Sequence, residues 1–110
     1  MSEASTAPAD PAPIFAALAD RTRLSLLIRL STGDTLSIAR LSTDAKLTRQ
    51  AVTKHLHVLE NAGLVRSMRS GRETRYSLCS ESIATARSFL DDVSAQWDEA
   101  LGRLRALVED

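Results

Sequence analysis

One face of a predicted helix carries the side chains best suited to chemistry in this chain. From Thr48 to about Asn61, apolar residues recur at helical spacing, and threonine is a favoured N-cap residue. The opposite face carries cationic, amide, hydroxyl and imidazole groups: Arg49, Gln50, Thr53, Lys54 and His57. Arginine and lysine can bind guanine or phosphate, and glutamine can bind adenine through two hydrogen bonds. This face is therefore predicted to enter the major groove of duplex DNA, with Thr48 both capping the helix and contacting a phosphate.

A second set of basic residues surrounds a predicted turn. Residues 64–69 and 74–78 have the composition of two β-strands, and Ser70-Gly71-Arg72 between them predicts a hairpin turn. Three arginines lie in or near this turn: Arg69, Arg72 and Arg75. Guanidinium groups at such a tip can reach DNA phosphates or the minor groove, where the negative potential is concentrated. The alternative is that these arginines only keep the hairpin soluble.

The distribution of charge points to the same region. The whole chain has fourteen basic and fourteen acidic side chains, a balance that by itself argues against a nucleic-acid partner. Between residues 46 and 75, however, seven basic residues stand against two acidic ones, whereas residues 81–110 hold three basic and seven acidic residues. The middle of the chain is therefore predicted to bind DNA.

Several short elements must position these two groups of side chains. Three prolines within residues 1–13 predict a flexible arm over 1–12, followed by one domain over 13–110. Apolar spacing predicts a helix after Pro13, a second helix capped by Asp20 and ended by Gly33, and a short third helix containing Leu36, Ile38 and Leu41. The few residues before Thr48 leave room for a tight connection, which is helix-turn-helix anatomy. The fold is predicted to be mainly α with a small β-hairpin.

A long helix is predicted from about Ser82 to the end. Its apolar residues are separated by steps of three or four: Ile83, Ala86, Leu90, Val93, Trp97, Leu101, Leu104 and Val108. So narrow a seam predicts packing against a partner helix, and hence a dimer. The aromatic residues Phe15, Phe89 and Trp97 are assigned to core and dimer packing, with an inducer pocket between protomers as the alternative.

Three motifs together resemble the ArsR/SmtB family of bacterial winged-helix repressors. Residues 18–24 read Leu-Ala-Asp-Arg-Thr-Arg-Leu, residues 52–59 read Val-Thr-Lys-His-Leu-His-Val-Leu, and residues 71–76 read Gly-Arg-Glu-Thr-Arg-Tyr. The resemblance runs from about Pro13 to the end. It implies an α1-α2-α3-αR-β-β-α5 protomer that dimerises through its first and last helices and represses an inverted-repeat operator until an inducer releases it. The implied interface residues are Ile14, Phe15, Leu18, Leu90, Val93, Trp97, Leu101 and Leu104.

The chain departs from metal-sensing members of that family. Those members commonly have a Cys-x-Cys pair near the third helix or a His/Asp/Glu set on the last helix, but residues 36–42 contain no cysteine or histidine and the last helix has no histidine. We therefore expect no metal site, no cofactor and no response to metals. The resemblance also makes His55 a structural residue, and Lys46 occupies a turn position where many members have glycine.

Other functional classes find little support. A phosphate-binding glycine loop, a catalytic carboxylate pair and a nucleophile with its base are all lacking, so no enzymatic activity is predicted. The lone Cys79 gives no sign of an oxidising compartment, and the chain has neither an export signal nor a membrane segment, which favours the cytoplasm. Two alternatives stay open: a protein-interaction module on a winged-helix scaffold, and a redox-responsive repressor acting through an intermolecular Cys79 disulfide.

Overall fold

Five helices and three short strands form the fold within residues 10–109, the part of the chain that the computed structural model describes. Most of the predicted arm and Asp110 lie outside the described residues. The elements in chain order are α1 (Ala12–Leu18), α2 (Arg21–Leu30), β1 (Leu36–Ser37), α3 (Ile38–Ala45), α4 (Arg49–Asn61), β2 (Val65–Ser70), β3 (Glu73–Leu78) and α5 (Ser80–Glu109). The predicted fold class, mainly α with a small β-hairpin, is confirmed.

Three helices begin at residues whose side chains satisfy free backbone N–H groups. Asp20 Oδ2 accepts from the Arg23 N–H at 2.9 Å, and Thr48 Oγ1 accepts from the Ala51 N–H at 3.0 Å. Both predicted caps are confirmed. Ser37 Oγ likewise accepts from the N–H of Arg40 at 3.1 Å at the start of α3. Helix α2 ends at Leu30, three residues before the predicted end, and Gly33 instead supplies a positive φ of 96° in the following loop.

The sheet has one more strand than the sequence predicts. Strands are antiparallel in the order β1-β3-β2, and β1 pairs Leu36 with Tyr76 and Ser37 with Arg75. The prediction that Leu36 belongs to the third helix is therefore wrong. Ser37 keeps an extended backbone as the N-cap of α3, so the chain cannot be helical before Ile38. A two-residue strand is too short to show an alternating pattern in the sequence.

The core lies between the helices and the inner face of the sheet. Leu30, Leu41, Val52, Leu56 and Leu59 are at most 1% exposed, so α2, α3 and α4 all contribute to it. Tyr76 brings β3 into the same core and is 3% exposed. Burial raises the pKa of the Tyr76 phenol, and the negative charge of Glu60 raises it further. This core fixes α4 and the hairpin relative to each other.

Helix α5 differs from the other helices because much of it leaves the core. Near its start Ala86 is buried, and the rings of Phe89 and Phe15 of α1 have centroids 5.7 Å apart. Beyond Val93, every residue up to Glu109 is exposed except the half-buried Ala100. The described molecule is accordingly elongated, with extents of 68 × 41 × 21 Å. Within residues 10–109, no helix is both long enough and apolar enough to cross a membrane.

Candidate nucleic-acid interface

A short turn joins α3 to α4. Helix α3 ends at Ala45 and is followed by its C-cap residue Lys46, which adopts a left-handed conformation with φ 57° and ψ 41°. The Leu47 N–H donates to the carbonyl of Ser42 at 3.1 Å, and the Ser42 hydroxyl donates to the carbonyl of Leu47. Thr48 then caps α4. These contacts set α4 across α3 in the arrangement of a helix-turn-helix.

Helix α4 has one buried and one exposed face. Val52, Leu56 and Leu59 are 0% exposed and anchor it in the core. The residues predicted to contact DNA lie on the other side: Arg49, Gln50, Lys54 and His57 are exposed, and Thr53 is half-buried. The Thr53 hydroxyl donates to the Arg49 carbonyl at 2.7 Å, which leaves its oxygen free only to accept. The structure therefore brings the five predicted side chains onto one accessible helix face.

His55 points away from that face, toward α2. Its Nδ1 lies 3.4 Å from a terminal nitrogen of Arg23 and 3.9 Å from Asp20 Oδ2. The main contact of the Asp20 carboxylate is its capping hydrogen bond. This bond from the Arg23 N–H lowers the pKa of the carboxyl group most, and the charges of Arg23 and His55 lower it further, although desolvation raises it. These contacts agree with the interpretation of His55 as a structural residue, which joins α4 to the start of α2.

The wing is the hairpin of β2 and β3. Its turn consists of Gly71 and Arg72, and Gly71 has a φ of 64°, as a tight hairpin turn requires. Arg69 and Arg72 are exposed, and neither has an ion-pair partner among residues 10–109. A cleft of about 320 Å³ separates the wing from the helices, lined by Arg72 on one side and by Arg49 and Thr53 on the other. Two elements thus present cations to one cleft.

Arg75 is placed differently from the other two wing arginines. It lies in the middle of β3, opposite Met68 of β2 and Ser37 of β1. Its guanidinium binds Thr35 and Glu73 within the chain. Sequence reasoning missed this role because Thr35 is 40 residues away and the strand that brings it close has two residues.

The predicted interface residues fall into three groups by exposure. Ile14 is 5% exposed and packs in the core of its own chain, so it has little surface left for a partner. Phe15, Leu18 and Val93 are half-buried. The remaining four, which lie along α5, are more than half exposed: Leu90, Trp97, Leu101 and Leu104. The large apolar surface therefore belongs to α5.

The described part of the chain offers few groups for metal binding or thiol chemistry. Within residues 10–109, histidine, cysteine, aspartate and glutamate do not gather in groups of three or more that could hold a metal ion. Cys79 is a half-buried free thiol at the junction of β3 and α5, where its N–H donates to the Leu64 carbonyl at 2.8 Å. Neither observation adds a site to the DNA-facing surface.

A helix-turn-helix whose second helix exposes polar side chains beside an arginine-bearing β-hairpin defines a winged helix-turn-helix DNA-binding protein. Comparisons with known proteins agree. A family model described as a helix-turn-helix domain matches residues 18–67. An HTH-type transcriptional regulator of Mycobacterium tuberculosis is 34% identical over 99 residues, which cover 90% of this chain and 89% of the relative.

Solved structures identify the family. An ArsR-like transcriptional regulator from Rhodococcus sp. RHA1 is 35% identical with a TM-score of 0.78, over 88% of this chain and 91% of that one. A homodimeric winged helix-turn-helix DNA-binding domain from Mycobacterium bovis, described as a possible ArsR-family regulator, is 27% identical with a TM-score of 0.62, over 84% and 82% of the two chains. The chain belongs to the ArsR family of winged helix-turn-helix proteins, and it is a DNA-binding transcriptional regulator.

Proposed function

We propose that the chain is a cytoplasmic repressor that binds an inverted-repeat operator as a homodimer. The observation that carries the proposal is the exposed face of α4, which lies across a cleft from the exposed wing arginine Arg72. Gln50 and Arg49 read base edges in the major groove, while Lys54, His57 and Thr48 meet phosphates or neighbouring bases. Arg69 and Arg72 bind the backbone or the adjacent minor groove.

The exposed side of α5 supports the homodimer. Trp97 is 64% exposed, and Leu101 and Leu104 are 56% and 57% exposed in the single chain. An aligned row of large apolar side chains in water is unfavourable, and a second copy would cover it through the same surface. The homodimeric relative from Mycobacterium bovis gives independent support. A twofold dimer presents two copies of α4, which is the geometry that an inverted repeat requires.

Repression follows from occupancy of the promoter. A dimer with both α4 helices in successive major grooves covers more than one turn of duplex, which excludes RNA polymerase from an overlapping site. No metal is needed for this step. The regulator is thus bound to its operator by default and does not respond to metal ions.

The direct test is a gel-shift titration of the protein on the DNA upstream of its own gene, repeated at several salt concentrations. We expect binding that is at least a hundredfold tighter than to a shuffled duplex of equal length and composition, and that weakens steeply with salt. The matched protein control is Lys54→Glu, which reverses one charge on the exposed face of α4. Equal affinity for both duplexes would contradict sequence-specific binding, and no binding to either would favour the protein-interaction alternative.

Repression itself is tested in cells. A reporter driven by the same promoter should be more active when the gene is deleted, and the Lys54→Glu protein should fail to restore repression. Lower reporter activity in the deletion strain would instead make the protein an activator.

A further inference from the structure

The guanidinium group of Arg75 is bound within the chain on all three of its nitrogens. Its Nε donates to Thr35 Oγ1 at 2.9 Å, and Nη2 donates to the Thr35 carbonyl oxygen at 2.8 Å. Nη1 donates to Glu73 Oε1 at 2.8 Å. The side chain is 31% exposed, in contrast to the exposed Arg72 at the tip. Arg75 is therefore committed to internal contacts, whereas Arg72 is accessible to a ligand.

These contacts reinforce a weak part of the sheet. Thr35 immediately precedes β1, which pairs with β3 through only two residues, Leu36 and Ser37. So short a ladder offers few backbone hydrogen bonds. Two bonds from the Arg75 side chain to residue 35 extend the attachment beyond the strand itself. Arg75 thus ties the segment before α3 to the centre of β3.

The two parts that Arg75 joins carry the two halves of the DNA-facing surface. Ser37 of β1 caps α3, and α3 leads through a tight turn into α4 with Arg49 on its first turn. On the other side, Arg72 lies three residues before Arg75 in the wing. The cleft between Arg49 and Arg72 measures about 320 Å³. The attachment of β3 to β1 therefore sets the distance between these two cations.

We propose that Arg75 is a positioning residue, which holds the wing at the spacing from α4 that lets Arg49 and Arg72 bind one duplex. Arg75 itself does not contact DNA. The inference rests on the proposed DNA-binding function and revises the sequence prediction, which placed Arg75 among the DNA contacts.

The first test is Thr35→Val, which removes an acceptor of Arg75 and leaves every charge in place. We expect operator affinity to fall about three- to tenfold, the equilibrium ratio that corresponds to the net contribution of a typical intramolecular hydrogen bond. A DNA-contacting Arg75 would be released by this change and would bind as tightly as before or more tightly. Unchanged or increased affinity would therefore overturn the proposal.

The second test is a double-mutant cycle of Arg75→Ala with Arg72→Ala, measured across a salt titration. If Arg75 acts through the wing, its removal should reduce operator affinity clearly less in the Arg72→Ala background than in the wild type. The slope of log affinity against log salt for the double variant should then match that of Arg72→Ala. If Arg75 binds phosphate, the costs should add and the slope should fall by about one further unit in each protomer.

Circular dichroism and thermal unfolding serve as folding controls for these variants. Should Arg75→Ala fail to fold, Thr35→Val decides the question alone. Failure of the proposed function would be seen separately, as a wild-type protein without preference for its own promoter.

Discussion

Gln50 and Arg72 lie on different elements, and replacing each of them should weaken DNA binding in a different way. Gln50→Ala should weaken operator binding much more than binding to random DNA, because the base contact it removes is worth about 1–3 kcal/mol only where the correct base is present. Arg72→Ala should weaken binding to both duplexes and lower the slope of log affinity against log salt by about one unit for each phosphate that is no longer neutralised. Gel-shift titrations on the two duplexes measure both effects. Loss of operator preference alone in Arg72→Ala would mean that the wing reads sequence or groove shape.

Sequence reasoning succeeds for the individual residues of α4 and fails for those of the wing. The exposed face of α4 is predictable side chain by side chain, because helical periodicity relates every residue from 49 to 57 to one axis. The environments of Arg72 and Arg75 cannot be separated in the same way. Both lie at or just after a hairpin turn, and only the approach of Thr35 across the sheet distinguishes them. A contact between segments 40 residues apart leaves no local pattern.

One carboxylate joins two helices of the domain. Asp44 of α3 accepts from Arg29 Nε of α2 at 3.0 Å and from Arg40 Nε, one turn earlier in α3, at 3.2 Å. The hydrogen bonds from Arg29, then the charges of both arginines, lower the pKa of Asp44 despite some desolvation. A carboxylate with a lowered pKa stabilises the fold above its ordinary value of 3.8 and loses that contribution as the pH falls through its lower folded value.

Asp44→Asn should therefore reduce the free energy of unfolding at neutral pH and flatten its decline below about pH 4. The measurement is urea unfolding followed by circular dichroism at several pH values. Asp34→Asn is the matched control, because Asp34 is exposed and forms no ion pair within residues 10–109. Parallel pH profiles for wild type and Asp44→Asn would show that the α2–α3 tie contributes nothing.

Prediction of the elements from sequence depends on their length. Each helix shows its apolar spacing, and the caps at Asp20 and Thr48 mark two helix starts to the residue. Strand β1 is missed because its two residues, Leu36 and Ser37, also fit the apolar spacing of the helix that follows. Pairing with β3, rather than any local propensity, makes them a strand.

For the whole molecule, the exposed row on α5 leads to a prediction about assembly. Trp97→Glu should convert a dimer into a monomer or an insoluble protein at micromolar concentration, because it places a charge in the centre of the apolar seam. Ala95→Glu is the matched control, since this exposed residue lies two positions away on the opposite side of the same helix. Sedimentation velocity measures the oligomeric state of both variants, and Ala95→Glu should remain a dimer. A wild-type protein that is monomeric throughout would contradict the dimer.

The protein is not expected to respond to metals. Zinc, cadmium and arsenite should leave operator affinity unchanged, because such ions need three or four suitably placed soft or imidazole ligands. His55 instead contacts Asp20 and Arg23, and Cys79 lies at a separate junction of the chain. Calorimetry measures metal binding, and gel shifts with and without metal measure operator affinity. Stoichiometric metal binding that weakens operator binding tenfold would overturn the expectation.

The last four turns of α5 connect assembly with folding itself. In a single chain, residues 94–109 have almost nothing to pack against, and an isolated helix of about that length is only marginally stable in water. The far end of α5 should therefore fray when protomers separate and become ordered when they associate. Helicity would then depend on protein concentration. Dilution through the dissociation constant of the dimer should therefore reduce the magnitude of the negative ellipticity at 222 nm and also lower the sedimentation coefficient. The C-terminal half of α5 would thus be stably helical only when it packs against the partner protomer.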